Sequence, residues 1–129
     1  MWLWKKRKEP QTLQTPYGEF VKQDGEDTWE GFVEIGDTEA QVLAGDINGQ
    51  PNPELLNLLP FISENLHQLE NTARGAVPEL TAQHFFGLIT DSNGDEHFSL
   101  GFNYEEENWG ETVYVDFKDG QVTGWSSAD

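Results

Sequence analysis

The stretch NPELLNLLPFISENLHQLENTARG, residues 52–75, decides how the rest of the chain is read. Asn52 is a good N-cap, Pro53 suits the first helical position, and Glu54 complements the positive end of the helix dipole. At about 100° per residue, Leu55, Leu58, Leu59, Ile62, Leu66, Leu69 and Ala73 share one arc, with Asn57, Glu64, Gln68 and Asn71 opposite. One apolar stripe on one long helix needs a broad apolar surface to cover it, and a sheet is the surface that the flanking sequence offers. Gly75 is the expected stop. Pro60 removes one backbone hydrogen bond and crowds an earlier carbonyl, so a kink or restart is expected there, with the stripe continuing in phase beyond it.

Upstream, Leu13 to Lys22 and Thr28 to Ile35 read as strands joined by the turn residues Asp24-Gly25. In the second of these, Trp29, Gly31, Val33 and Ile35 fall on one face, and Glu30, Phe32 and Glu34 on the other. Gly36-Asp37 turns into Thr38 to Ile47, where Ala40, Val42 and Ala44 alternate with Glu39, Gln41 and Leu43. Downstream, His84 to Asp91 and Glu96 to Asn103 flank Ser92-Asn93-Gly94-Asp95, and Asn-Gly is a strong hairpin signal. Val113, Val115 and Phe117 then alternate with Tyr114 and Asp116, and Lys118-Asp119-Gly120 turns into Val122 to Trp125. The order βββ-α-ββββ predicts an α+β fold: an antiparallel sheet of about six to seven strands with one main helix on a face.

At 129 residues the chain has the length of one domain, expected over residues 11–129 after a tail at 1–10. Hydrophobic residues make up 36% of it, with eight Phe, five Trp and three Tyr, so it has the means to build a core despite its charge. Cysteine is absent, which excludes disulfides and thiolate chemistry and fits the cytoplasm.

Four of the seven cations are consecutive, Lys5 to Lys8, so residues 9–129 hold three cations against 24 acidic residues, a net of −21. Such an excess costs stability through self-repulsion and points to a basic protein partner, although adaptation to high salt produces the same composition. Nucleic acid is disfavoured, since phosphate contact needs clustered cations and the domain has only Lys22, Arg74 and Lys118. Trp2 and Trp4 beside Lys5 to Lys8 would support weak contact with an anionic membrane, or would fold onto the domain's own acidic surface.

No catalytic motif stands out. Asp91, Asn93 and Asp95 imitate the first ligands of a calcium loop, but Glu96 replaces the glycine at its sixth position and Phe102 the closing glutamate, so a hairpin is the better reading. The Asp46 to Gln50 run also lacks a closing Glu. His67, His84 and His97 lack the spacing of a metal site, so neither metal nor cofactor is expected. The residues assigned to partner binding are Glu105, Glu106 and Glu107 beside Trp109, and Glu30 and Glu34 flanking Phe32.

Two blocks, Tyr17-Gly18-Glu19-Phe20 with Thr28-Trp29-Glu30-Gly31, and Glu107-Asn108-Trp109-Gly110-Glu111-Thr112-Val113-Tyr114-Val115-Asp116-Phe117, resemble a group of small uncharacterised bacterial domains. These pair an F-G…W-x-G meander with a helix and a final W-G-x-x-[IV]-x-V strand, over roughly residues 16–125 of this chain. Some are encoded beside toxin genes, where immunity proteins are acidic and bind cationic toxins. The resemblance implies a non-enzymatic, toxin-neutralising binding protein. The family usually carries His after the Gly of the last block, where Glu111 stands here, so nothing resting on that His is carried over. Two other function classes stay open: a small carboxylate- or metal-dependent hydrolase, and a membrane-peripheral accessory protein held by the tail.

Overall fold

In the computed structural model, one long helix lies against a sheet whose strands come from both sides of it in sequence. The structure describes residues 9–77, 83–91, 97–104 and 112–128. The strands are β1 Gln11–Thr15, β2 Gly18–Lys22, β3 Thr28–Ile35, β4 Thr38–Ile47, β5 Gln50–Pro51, β6 Gln83–Thr90, β7 His97–Tyr104, β8 Thr112–Lys118 and β9 Gln121–Ala128, with α1 Pro53–Ala76 between β5 and β6. The α+β class is as expected. The strand count is not: the described residues form nine strands where about six to seven were expected. The expected strand Leu13 to Lys22 is two, broken at Pro16-Tyr17, where the Thr15 hydroxyl donates to the Gly18 carbonyl and Gly18 takes φ +120°.

The extra β5 follows a tight turn within the Asp46 to Gln50 run, which forms a hairpin and not a calcium loop. Asn48 and Gly49 both take positive φ, 54° and 84°, and Ile47 pairs with Gln50. That is the type I′ geometry that Asn-Gly adopts in two-residue hairpins. Asp119 and Gly120 do the same between β8 and β9, at 55° and 76°.

The sheet order is β1-β2-β3-β4-β6-β7-β8-β9, with β5 pairing β4 off that path. Among the described residues all pairings are antiparallel except β4 with β6. This exception corrects the expected antiparallel sheet, and its cause is topological. The 24-residue α1 carries the chain back across the sheet, so β6 re-enters running the same way as β4.

Helix α1 begins as expected: the Asn52 side chain accepts from the Glu54 N–H at 3.0 Å. It ends at Ala76 instead of at Gly75, with Val77 N–H bonded to the Ala73 carbonyl. Its break is not at Pro60 but at Asn65, where φ is −119° and ψ 18°. There the Asn65 side-chain amide donates to the Phe61 carbonyl, the acceptor that its own backbone N–H would otherwise use. The buried face is Leu55, Leu56, Leu59, Ile62, Leu69 and Ala73, while Leu58 and Leu66 of the expected stripe are half-buried.

The sheet curls round this helix. At the level of Pro60, one flank of α1 faces Tyr17, Val33 and Ile35, and on the other flank Phe61 faces Gly120 in the β8–β9 turn. Strands β3 and β9 are five places apart in the sheet, about 24 Å if it were flat. A helix about 10–12 Å across touches both only if the sheet wraps it. Inside lie Phe20, Trp29, Ile35, Ile89, Phe98, Leu100, Phe102 and Phe117, with Phe98 and Phe117 stacked at 5.2 Å. Among the described residues no helix is long and apolar enough to cross a membrane.

Candidate functional site

The outer face of β3 carries the first assigned group. The period of two that buries Trp29, Gly31, Val33 and Ile35 turns Glu30, Phe32 and Glu34 outward. Phe32 is 57% exposed, the most exposed large apolar side chain among the described residues. Among the described residues no further strand covers it.

Register supplies the rest of this patch. The two-residue Gly36-Asp37 turn sets Ile35 opposite Thr38, so Glu34 faces Glu39 and Phe32 faces Gln41. Gln41 donates to the Glu30 carboxylate, and Leu43 and Val21 lie on either side of Glu30. The result is an exposed ring amid Glu30, Glu34 and Glu39, with no cation at any of these paired positions. Like charges directly opposite across a strand pair repel, so Glu34 and Glu39 cost stability where they stand. Glu39 was missed as a site residue, although the Gly-Asp turn would have revealed the pairing. The other assigned residues, Glu105, Glu106, Glu107 and Trp109, lie outside the described residues, as do Trp2, Trp4 and Lys5 to Lys8.

At the end of the sheet nearest the start of α1, Asp91 organises a polar junction. Its Oδ2 accepts from the Gly45 N–H at 2.8 Å and from Asn52 Nδ2 at 3.0 Å. Because the Asn52 amide donates to Asp91, its carbonyl is left to cap Glu54. Asn52 N–H also bonds the Gly45 carbonyl, and Trp29 Nε1 donates to Asp46 at 2.8 Å. These bonds use the polar atoms internally and join β4, α1 and β6. The Asp91, Asn93, Asp95 run thus has a structural duty at its first member, while positions 92–96 lie outside the described residues.

Sequence reasoning did not find one further hollow. On the flank of α1 away from β3, Leu58, Phe61, Phe98 and the Asp119-Gly120 turn bound a cleft of about 460 Å³, with Glu54 and Asp119 on it. It continues past Phe61 into a smaller hollow of about 210 Å³ beside Asn65, Gln68 and Gln121. It exists because the curled sheet brings the β8–β9 turn to the helix, which no local pattern encodes.

Ser99 donates to Asp116, with the Asp116 carbonyl accepting from Thr123. Among the described residues no three His, Asp or Glu side chains converge as a metal site would require. Comparison with known proteins finds no matching family model, no matching curated protein and no matching solved structure.

Proposed function

We propose that this chain is a non-enzymatic acidic binding protein of the cytoplasm that occludes a basic protein partner, in the toxin-neutralising immunity role that its resemblance implies. The observation that carries the reading is Phe32, more than half exposed on a sheet face amid Glu30, Glu34 and Glu39. A fold optimised only for stability gains nothing from an exposed ring or from opposed glutamates. A partner with basic side chains around an apolar socket gains from both. The net of −21 over residues 9–129 then steers that partner inward.

The test is capture of a basic protein from the native host, followed by binding kinetics against salt. Steering is screened over about 10 Å at 0.1 M, so the association rate is expected to fall steeply from low to physiological salt. Substituting Glu30, Glu34 and Glu39 by Gln slows association, and Phe32→Ala chiefly speeds dissociation, by about 2 kcal/mol or more. Phe32 is exposed, so its truncation leaves the fold within about 0.5 kcal/mol and the binding loss is readable. Failure to retain any basic protein, or binding indifferent to salt and to all four substitutions, refutes the reading.

A further inference from the structure

Helix α1 carries a second stripe that the core does not use. Glu54, Asn57, Leu58, Phe61, Asn65 and Gln68 recur at helical spacing along the flank that faces the β8–β9 turn. A flank left to solvent would be polar along its length, and the second half of this one is. Its first half is not: Leu58 and Phe61 meet Phe98 in the cleft of about 460 Å³, and Phe61 stays 39% exposed.

The rim adds charge of one sign. Glu54 stands on the helix side and Asp119 on the turn side, both exposed. Residues 9–129 contain Lys22, Arg74 and Lys118 as their only Lys and Arg, and none of these lines the cleft. Lys118 is next to Asp119 in sequence, but alternation turns Phe117 inward, stacked on Phe98, and Lys118 to the outer side of the sheet. The start of α1 contributes about half a positive charge, which two carboxylates outweigh, so the rim favours a cation and rejects an anion.

We propose that this cleft binds a small organic amine, with an apolar ring-sized body against Leu58, Phe61 and Phe98 and its protonated nitrogen held by Glu54 and Asp119. The volume lies within the range of roughly 300–1,000 Å³ that takes small molecules, and an apolar floor with few polar groups at its rim is how such sites are built. A ring packed on Phe61 and Phe98 and a cation near their faces are both favourable contacts. The adjoining hollow of about 210 Å³ presents the amides of Asn65, Gln68 and Gln121 to a polar substituent farther along the ligand. The cleft is on the helix side of the sheet and the Phe32 patch on the other, so the site stands independently of the function proposed there.

The test is an NMR titration of the full chain with tryptamine, and with two ligands of the same body but different charge, the alcohol tryptophol and the carboxylate indole-3-acetate. Two exposed ion pairs should make tryptamine bind about fivefold more tightly than tryptophol at low salt, with the ratio shrinking as salt rises and indole-3-acetate binding most weakly. The amides of Leu58, Phe61 and Gly120 should shift, and that of Phe32 should not. Glu54→Gln combined with Asp119→Asn should bring tryptamine down to the affinity of tryptophol, and Asn tolerates the φ of 55° at position 119, so the turn is kept. Phe61→Ala should weaken amine and alcohol alike, by about tenfold, because it removes the floor and not the charge. A preference for the amine that survives the double substitution marks diffuse attraction to an acidic chain and overturns the proposal. So do equal affinities for amine and alcohol, shifts away from the cleft, or no binding of tryptamine up to about 10 mM.

Discussion

Gly31→Ala would place a methyl group where the Phe20 ring lies. A Cβ on Gly31 meets Cε2 and Cζ of that ring at 2.7 Å and Cδ2 at 2.8 Å, against about 3.5–4.0 Å for a relaxed carbon contact. Phe20 is fully buried, and its register partner across β2 and β3 is Gly31 itself, so the ring cannot withdraw without displacing the core. Overpacking of this kind costs roughly 1–3 kcal/mol, while removing glycine's freedom in the unfolded chain returns roughly 0.5–1 kcal/mol. The net expectation is a loss of about 1–2 kcal/mol, or a fall in Tm of roughly 4–8 °C for a domain of this size. Urea denaturation with unchanged m-value measures it. The cause is isolated by a double-mutant cycle: Phe20→Leu shortens the ring side chain, and the double variant should be at least about 1 kcal/mol more stable than the two single losses added together. A neutral or stabilised Gly31→Ala, or strict additivity in the cycle, would refute the packing of Phe20 on Gly31.

Asp91→Ala removes the acceptor shared by Gly45 and Asn52 and loosens the cap on Glu54, so a loss of about 2–3 kcal/mol is expected by urea denaturation. Ile62→Ala empties a fully buried site and should cost about 2–5 kcal/mol; half-buried Leu66→Ala should cost less, and exposed Glu64→Ala under about 0.5 kcal/mol. Equal losses at all three would mean that the helix buries a different face. Glu39→Lys turns the repulsion facing Glu34 into an attraction and should stabilise the fold by about 0.2–1 kcal/mol, an effect that fades in high salt.

The sequence by itself determined the features that depend on neighbours along the chain. Asn52, Pro53 and Glu54 start the helix because a cap bond and a dipole act within one turn. Alternation sends Trp29 inward and Phe32 outward because side chains in a strand change sides at every residue, so Glu30 and Glu34 were legible as partners of an exposed ring. Glu39 was within reach of the same logic through the Gly36-Asp37 turn. Only the tertiary structure decided the rest. The parallel pairing of β4 with β6 follows from the return of α1 over the sheet, and the break at Asn65 instead of Pro60 from a side chain competing for a carbonyl. The cleft joins Phe61 of α1 to Gly120 of the β8–β9 turn, 59 positions away, because the sheet curls until its last hairpin meets the helix. Curl is a sum of small twists over many strand pairs. No single window of residues carries it, and so no local pattern announces the site that it creates.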